Sequence, residues 1–254
     1  MLSNVSFSAL NSWFLCGESC KRTYFGERFP PGISAYRGRS FHDTVEVNHS
    51  QKIDSNLDLK LDYMQDYCRD QYVNSIKNNG YFLPKEDYPY KSKLLNQGLN
   101  HAVGAIKAYK EKIAPMLHPI KVELYMKSDI GLGMPISGRL DLIDSNGKIR
   151  DFKIGKKKQK NWEHKDLQPT FYSLLMYLKE KKIPDFEYNV IPPSGDVQVL
   201  PTARTFEDFK ILIQHIKLFI KDISAGVFRP AQPGSWICTE KYCQYFSTCK
   251  YVGN

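Results

Sequence analysis

The sequence predicts an α/β fold in which a helix, three strands, a helix and a further strand follow one another. Residues 120–127 alternate between apolar and polar side chains, which is the pattern of a half-buried strand. Two β-favouring runs flank Asn146-Gly147, and this dipeptide between such runs predicts a hairpin. Apolar residues then recur at helical spacing after Asp166. Together these patterns predict a sheet covered by helices.

The first part of the chain is predicted to be helical. Ser6 or Ser8 can cap a short N-terminal helix, because serine accepts hydrogen bonds from the free N–H groups of a first turn. A helix over residues 38–49 carries His42, and residues 54–115 are mostly helical as well. We interpret 54–115 as an insertion before the first strand.

The second part of the chain completes the pattern. The first strand has one predicted apolar face, formed by Ile120, Val122, Leu124 and Met126. The helix that begins near Asp166 has Pro169 in its first turn, where the missing N–H costs little. Residues 186–191 are predicted to form the next strand of the sheet.

The length of the hairpin loop decides on which face its charged residues lie. A two-residue Asn-Gly loop would place Asp141 and Asp151 on opposite faces, because side chains alternate along a strand. A three-residue Ser-Asn-Gly loop pairs Asp141 with Asp151, and Gly147 suits its left-handed third position. We predict the three-residue loop, with Lys153 on the face of both carboxylates and Asp144 in the turn only. The opposite face would carry Leu140, Leu142, Arg150 and Phe152.

The paired carboxylates indicate a metal site. Two carboxylates held close together cannot both stay ionised cheaply unless a cation lies between them. Mg²⁺ takes oxygen ligands and often uses one or two carboxylates together with a substrate phosphate. Lys153 follows Asp151 on the same strand face and is placed to orient a nucleophilic water. The hairpin therefore predicts metal-assisted phosphodiester hydrolysis.

A second Asp-Phe-Lys, from Asp208 to Lys210, shows that this tripeptide alone predicts little. It lies within residues 206–220, where apolar residues recur at helical spacing, so we predict an ordinary amphipathic helix there. The Gly-x-x-Asp strand and the turn are what distinguish the first copy.

The charge of the chain favours a polyanionic partner. The 254 residues carry a net charge of +9, with a pI of about 9.1. A basic cluster directly follows the second hairpin strand and is predicted to contact DNA, namely Lys156, Lys157, Lys158 and Lys160. The length fits a single domain over 1–254. No stretch resembles a signal peptide or a membrane span, so we expect a soluble cytoplasmic protein without a membrane partner.

The six cysteines predict a bound metal or cluster, since disulfides are rare in intracellular chains of this size. Three of them lie close together in the sequence, as Cys238-x₄-Cys243-x₅-Cys249. Three thiolates need a fourth ligand, which Cys16 or Cys20 would supply from the other end of the chain. Spacing alone leaves both zinc and an iron–sulfur cluster open.

These motifs together resemble a known family. The segment 138–141, Gly-Arg-Leu-Asp, followed by Asp-Phe-Lys at 151–153, resembles the PD-(D/E)XK nucleases and specifically their RecB-like branch. The segment around His42 resembles the helix of that branch that bears a metal-ligand histidine. Gln168 and Tyr172 match its Gln-x-x-x-Tyr motif. The cysteines resemble the iron–sulfur ligands of the AddB and CRISPR-adaptation nucleases, and the likeness spans nearly the whole chain.

The resemblance implies a restriction-endonuclease-like α-β-β-β-α-β core with a mixed sheet and a helical insertion at 54–115. Residues 1–25 and 230–254 would form a clamp around a [4Fe–4S] cluster. The implied cluster ligands are Cys16, Cys238, Cys243 and Cys249, with Cys20 as the rival of Cys16.

The resemblance also implies a metal-dependent deoxyribonuclease. Mg²⁺ or Mn²⁺ would be held by His42, Asp141, Asp151 and the Phe152 carbonyl. Lys153 would orient or deprotonate the water, while Gln168 and Tyr172 would lie near the scissile DNA. Glu123, on the polar face of the first strand, is placed to support the site without contacting the metal.

The implied substrate is DNA that is single-stranded or has free ends. Exonuclease action in recombination, repair or phage genome processing follows from the resemblance, with the host cytoplasm as the location if a phage encodes the protein. A non-catalytic DNA-binding protein that keeps the fold and a structure-specific endonuclease are the alternatives.

Overall fold

A computed structural model describes residues 2–26 and 29–252 as a mixed six-stranded sheet with helices on both faces. The strands are β1 (Val5–Ser6), β2 (Pro119–Ser128), β3 (Ile136–Asp144), β4 (Ile149–Ile154), β5 (Phe186–Ile191) and β6 (Gln198–Thr202). The helices are α1 (Phe7–Leu15), α2 (Gly17–Phe25), α3 (Ile33–Ser55), α4 (Leu61–Asn79), α5 (Lys91–Lys112), α6 (Trp162–Lys165), α7 (Leu167–Glu180) and α8 (Phe206–Ser224). The order α3, β2, β3, β4, α7 and β5 is the predicted core, and the predicted mixed α/β fold is confirmed.

Strand β3 organises the sheet. One of its edges pairs with antiparallel β2 along its whole length. Its other edge is shared by β1, which pairs in parallel at Ile136 and Ser137, and by β4, which pairs antiparallel at Leu142 and Ile143. Beyond β4 the sheet continues with parallel β5 and antiparallel β6. The β3–β4 ladder thus ends next to Asp141, where the two strands diverge.

The hairpin between β3 and β4 has the predicted three-residue loop. Leu142 pairs with Arg150 and Ile143 pairs with Ile149, a register that places Asp141 across from Asp151. The N–H of Asp144 donates to the Lys148 carbonyl at 3.0 Å, which closes the loop. Gly147 has a φ of +78°, the left-handed conformation that this loop position requires. The two-residue alternative is therefore excluded.

Two hydrophobic cores cover the two faces of the sheet. The first core lies under α1, α7 and α8, and the second lies under α3, α4 and α5. Helices α4 and α5 fall within the segment 54–115, so this segment supplies much of the second core. Tyr109 of α5 and Phe152 of β4 are fully buried there, with their ring centroids 5.8 Å apart.

In strands β2 and β3 the alternation of side chains is interrupted at one position, so that the residues on either side of it point to opposite faces of the sheet. Val122 packs against the second core but Leu124 packs against the first, although simple alternation predicts a shared face. Likewise Leu140 belongs to the first core and Leu142 to the second. Glu123 has a φ of +46°, and a left-handed residue inside a strand turns the following side chains over. The prediction that Leu124 shares a face with Val122 is therefore wrong. The prediction that Leu140 shares a face with Leu142 is wrong for the same reason.

The remaining elements show which local signals were sufficient. The Ser6 hydroxyl caps α1 by accepting from the Ala9 N–H at 3.2 Å, as the sequence predicts. The second Asp-Phe-Lys lies in α8, whose first turn is held by a capping box between Thr205 and Asp208. Strands β1 and β6 and helix α2 have no counterpart in the prediction. No helix within residues 2–26 and 29–252 is both long and apolar enough to cross a membrane.

Candidate active site

Charged side chains from four elements meet where β3 and β4 diverge. His42 comes from α3, Glu123 from β2 and Asp141 from β3, and one ligand atom of each lies within 4.8 Å of those of the other two. His42 Nδ1 is 3.4 Å from Asp141 Oδ2. The backbone N–H of Phe152 donates to the same oxygen at 3.0 Å and so holds the carboxylate in place. We call His42, Glu123 and Asp141 the ligand trio.

Asp151 lies beside the ligand trio but has different partners. Its side chain is almost fully buried, with a relative exposure of 2%. Lys153 Nζ is 2.8 Å from Asp151 Oδ2, and Gln168 Nε2 donates to Asp151 Oδ1 at 2.5 Å. Lys153 also donates to Gln168 Oε1 at 3.0 Å. The structure therefore brings together all three of these predicted residues, while Asp151 is not part of the trio.

Burial and neighbouring charges shift the pKa values of this site. Burial, together with the charge of Asp141, raises the pKa of Glu123 to about 7. Burial also raises the pKa of Asp151, which Lys153 opposes and Asp141 reinforces. Burial alone would lower the pKa of Lys153, but the charges of Asp151 and Asp141 outweigh it and raise that pKa. The ionised forms of Glu123 and Asp151 are therefore costly as the site stands, and a bound cation would lower that cost.

Helix α7 is seated closely against β3 and positions Gln168. A Cβ added to Gly138 would lie 2.9 Å from Tyr172 Cε1, so the ring packs directly on the glycine. The Asp166 carboxylate caps α7 by accepting from the Gln168 N–H at 3.0 Å and from the Tyr188 hydroxyl at 3.0 Å. Burial raises the pKa of the Tyr172 hydroxyl, so this phenol stays neutral and can donate a hydrogen bond.

The comparison with protein families now has a structural context. The family model of the PD-(D/E)XK nuclease superfamily matches residues 5–250, which is nearly the whole chain. The chain belongs to the PD-(D/E)XK nuclease superfamily. Nucleases of this superfamily use divalent metals, and the fold implies DNA as the substrate. No curated protein sequence gives a significant match.

Two solved structures resemble this PD-(D/E)XK nuclease. One is a protein of Eubacterium rectale described as a "Putative exonuclease", with a TM-score of 0.60 and 10% sequence identity over 99% of this chain and 90% of that chain. The other is the crystal structure of SSO0001, with 17% identity over 65% of this chain and 78% of that chain, and a TM-score of 0.37. The first likeness shows the same fold.

The side chains of this PD-(D/E)XK nuclease fit a hard divalent metal ion. The ligand trio offers two carboxylates and an imidazole, a donor set that suits Mn²⁺ and, through its oxygens, Mg²⁺. Asp151 Oδ2 is buried without a hydrogen-bond partner among the described residues, although Lys153 lies within ion-pair distance. A buried carboxylate is costly unless positive charge lies beside it, and a bound cation would add to what Lys153 supplies.

The predicted DNA-binding lysines follow β4 on an irregular segment. Lys156, Lys157 and Lys160 are exposed, and Lys158 is half-buried. Lys157 pairs with Asp196, whereas Lys158 Nζ lies over the Trp162 ring at 4.5 Å from its centroid. The side chains of Lys156 and Lys160 are thus open to an incoming phosphate, while the other two have protein partners.

The structure gathers four of the six cysteines between the two ends of the chain. Cys16, Cys238, Cys243 and Cys249 line one cavity of about 710 Å³. Burial raises the pKa of Cys243, and the thiols of Cys16, Cys249 and Cys238 are near enough to add to that rise. Cys20 is buried in the first core, where its thiol donates to the Ala9 carbonyl at 3.6 Å.

The two ends of the chain are joined directly around this cavity. The Gly17 N–H donates to the Arg229 carbonyl at 2.7 Å, and the Ala231 N–H donates to Cys16 Sγ at 3.3 Å. Arg22 donates to the hydroxyl of Thr248 at 2.8 Å. Residue 1 and residues 253–254, which belong to the predicted clamp, lie outside the described residues.

Sequence reasoning misjudged Asp144 and did not reveal how close Glu123 lies to His42 and Asp141. Asp144 is not only a turn residue, because it is buried, accepts from the His118 N–H at 2.9 Å and pairs with Arg150 at 2.8 Å. Glu123 lies within the ligand trio, whereas the sequence predicts only a supporting position. Its place in an alternating strand gave no signal of the left-handed turn that brings it there.

Proposed function

We propose that this protein is a metal-dependent DNA exonuclease. The observation that carries the proposal is the convergence of Asp141, Asp151, Lys153 and Gln168 at the point where β3 and β4 separate. Buried carboxylates beside an ammonium group, within a fold shared by nucleases, are suited to phosphodiester hydrolysis.

His42, Asp141, Asp151 and the Phe152 carbonyl would hold one or two Mg²⁺ or Mn²⁺ ions. When bound, the metal lowers the pKa of a water and stabilises charge on the phosphate. The Phe152 N–H holds Asp141 in the orientation that this task needs. The support for this ligand set is the burial of Asp151 next to the charge of Asp141, both of which raise its pKa and would be offset by a bound cation.

Lys153 orients the attacking water by hydrogen bonding. Its raised pKa keeps it an ammonium at neutral pH, so it donates hydrogen bonds rather than taking the proton of the water. Gln168 contacts both Lys153 and Asp151 and thereby keeps their distance constant. Tyr172, one turn later on α7, offers a neutral hydroxyl to the DNA, and the exposed lysines Lys156 and Lys160 bind its backbone.

Exonuclease rather than endonuclease action rests on the Eubacterium rectale protein, whose description names an exonuclease and whose fold is shared. The test compares linear DNA with covalently closed circles, each with Mn²⁺ and with EDTA. We expect linear DNA to lose nucleotides from its ends only with the metal, and closed circles to stay intact. Cleavage of circles would favour the structure-specific endonuclease, and binding without cleavage would favour the non-catalytic alternative. DNA binding should weaken as salt increases.

We also propose that Cys16, Cys238, Cys243 and Cys249 hold a [4Fe–4S] cluster that joins the two ends of the chain. The four thiols line one cavity, which supports the proposal. A tetrahedral zinc site, with Zn–S distances of about 2.3 Å, would bring its sulfurs to about 3.8 Å from one another. The likeness of the cysteine pattern to that of iron–sulfur nucleases favours the cluster over such a zinc site.

The cluster proposal is tested by metal analysis. Protein purified without oxygen should be brown and contain iron and acid-labile sulfide. Cys243→Ser should lose the colour and become sensitive to proteases, because cluster binding stabilises the joined ends. Cys68→Ser, in the second core, is the matched control and should keep the colour. Stoichiometric zinc without iron would overturn the cluster and leave the nuclease proposal intact.

For the biological setting, we propose action inside the cell on DNA ends during recombination, repair or phage genome processing. DNA, the substrate that the nuclease fold implies, supports this setting. Fractionation of cells that express the protein should find it with cytoplasmic markers, and recovery in the membrane or secreted fraction would refute this location.

A further inference from the structure

Glu123 occupies an unusual place for a strand residue. Its side chain is mostly shielded from solvent, with a relative exposure of 18%, yet its only ion-pair partner among the described residues is Arg139, at 3.8 Å. That arginine is 60% exposed and faces solvent, so it does not neutralise Glu123 effectively. On its other side Glu123 faces His42 and Asp141, one of which carries a like charge.

The backbone is bent specifically at Glu123. Four non-glycine residues in the described ranges have positive φ, and the other three lie at helix ends, at Asn56, Asn161 and Lys181. Glu123 alone has this conformation inside a strand, with a φ of +46°. The pairs on either side, Val122 with Leu142 and Leu124 with Leu140, keep one register, so the distortion is confined to a single rung. Its effect is to turn the Glu123 carboxylate toward the helix that carries His42.

We propose that Glu123 is a direct ligand of the divalent metal, together with His42 and Asp141. This inference rests on the proposed nuclease function and extends its metal site. In this assignment the ligand trio holds the first ion while Asp151 remains bound to Lys153 and Gln168. Asp151 then completes the site, or holds a second ion, only when DNA has bound.

The donor chemistry favours this order of assembly. Without Glu123, and with Asp151 held by Lys153, the first ion would have one carboxylate, one imidazole and the Phe152 carbonyl, which is a weak donor set for a hard cation. With Glu123 the trio supplies two carboxylates, and its ligand atoms already lie within 4.8 Å of one another. Asp151, by contrast, would have to leave an ammonium at 2.8 Å before both of its oxygens could reach a metal. Asp151 is thus held by Lys153 and Gln168, whereas among the described residues the ligand trio faces no such competing ammonium at short range.

The test is a Mn²⁺ titration of the full-length protein without DNA, with free Mn²⁺ followed by electron paramagnetic resonance. Glu123→Gln should raise the Kd of the first ion on the order of 10-fold or more. Glu123→Gly should do the same and keep or raise the melting temperature, since glycine adopts a positive φ without strain. Asp151→Asn should leave this Kd close to that of the wild type. Glu46→Gln, which removes one charge on α3 one turn after His42, is the matched control.

The outcomes separate this inference from the proposed function. Unchanged Mn²⁺ affinity in both Glu123 variants would overturn the ligand assignment, as would an equal loss in Glu46→Gln, which would indicate long-range charge alone. Loss of the first ion in Asp151→Asn would overturn the order of assembly. If wild-type protein cleaves DNA in any of these cases, the nuclease function stands. If it binds Mn²⁺ through Glu123 but cleaves no DNA, the function fails and the ligand assignment stands.

Discussion

Gly138→Ala should damage both the stability and the activity of the protein. The added Cβ would lie 2.9 Å from Tyr172 Cε1 and 3.0 Å from Leu175 Cδ1, well inside normal van der Waals contact. Leu175 is fully buried in the first core and cannot move aside. The strain must therefore push α7 away from β3.

The expected size of the effect follows from this close packing. Adding a methyl group to a well-packed core costs about 1–3 kcal/mol, which corresponds to a fall in Tm of about 2–12 °C for a chain of this size. Gln168 lies one turn before Tyr172 on α7, so the displaced helix carries the amide that holds Asp151 and Lys153. A shift of about 1 Å in such a group can lower turnover about 10²-fold.

The assay combines thermal melting with single-turnover cleavage of end-labelled DNA. Gly104→Ala is the control, since this glycine lies inside α5 with nothing within 4 Å of an added Cβ. Replacing a helical glycine by alanine stabilises by about 0.5–1 kcal/mol, so this variant should melt higher and cleave normally. If Gly138→Ala melts and cleaves like the wild type, α7 is not seated on Gly138 as described.

Two further substitutions test other parts of the account. Lys153→Ala should bind metal and DNA but lose turnover on the order of 10²-fold, since it removes the group that orients the water, whereas Lys210→Ala, in the second Asp-Phe-Lys on α8, should cleave normally. Inactivation by Lys210→Ala but not by Lys153→Ala would mean that the active site contains the second Asp-Phe-Lys rather than the first. Burial lowers the pKa of His49 to about 3, so between about pH 6.5 and 3 the unfolded chain binds more protons and stability should fall by up to about 1.4 kcal/mol per pH unit as the pH falls. His49→Gln should remove this contribution to the pH dependence of the unfolding free energy, measured by denaturant titration at several pH values. An unchanged slope of unfolding free energy against pH would contradict the prediction.

The hairpin could be predicted from sequence because its determinants are local. Gly147 suits the left-handed third position of a three-residue loop, and only a loop of that length sets Asp141 across from Asp151. The same holds for α8, where helical spacing and a capping threonine identify the second Asp-Phe-Lys as part of a helix.

The exchange of faces in β2 and β3 could not be predicted because its cause is tertiary. Glu123 is not a residue type that favours positive φ, so nothing in the local sequence indicates the bend. The bend lies where α3 packs against β2 and where His42 is 3.4 Å from Asp141. One partner of Asp144 is also distant in sequence, since His118 precedes β2, whereas Arg150 lies on the facing strand of the same hairpin.

The sequence also does not decide whether Cys16 or Cys20 is the fourth cysteine of the proposed cluster. The two residues lie four positions apart, and the distance along the chain from either one to the C-terminal cysteines is compatible with a four-thiol site. Packing separates them, because Cys20 points into the first core while Cys16 ends α1 and meets the chain after α8.

Strands β1 and β6 are not predicted from the sequence for another reason, since strands of two and five residues carry too short a pattern to recognise.

The central claim is that the carboxylates at the β3–β4 divergence carry out metal-dependent cleavage of DNA. The most direct test compares wild type with Asp151→Asn on end-labelled linear DNA, with Mn²⁺, with Mg²⁺ and with EDTA. The account predicts that wild type cleaves only when metal is present, whereas Asp151→Asn binds the DNA equally or more tightly, having lost a negative charge, and does not cleave it. Near-normal Mn²⁺-dependent cleavage by Asp151→Asn would contradict the account.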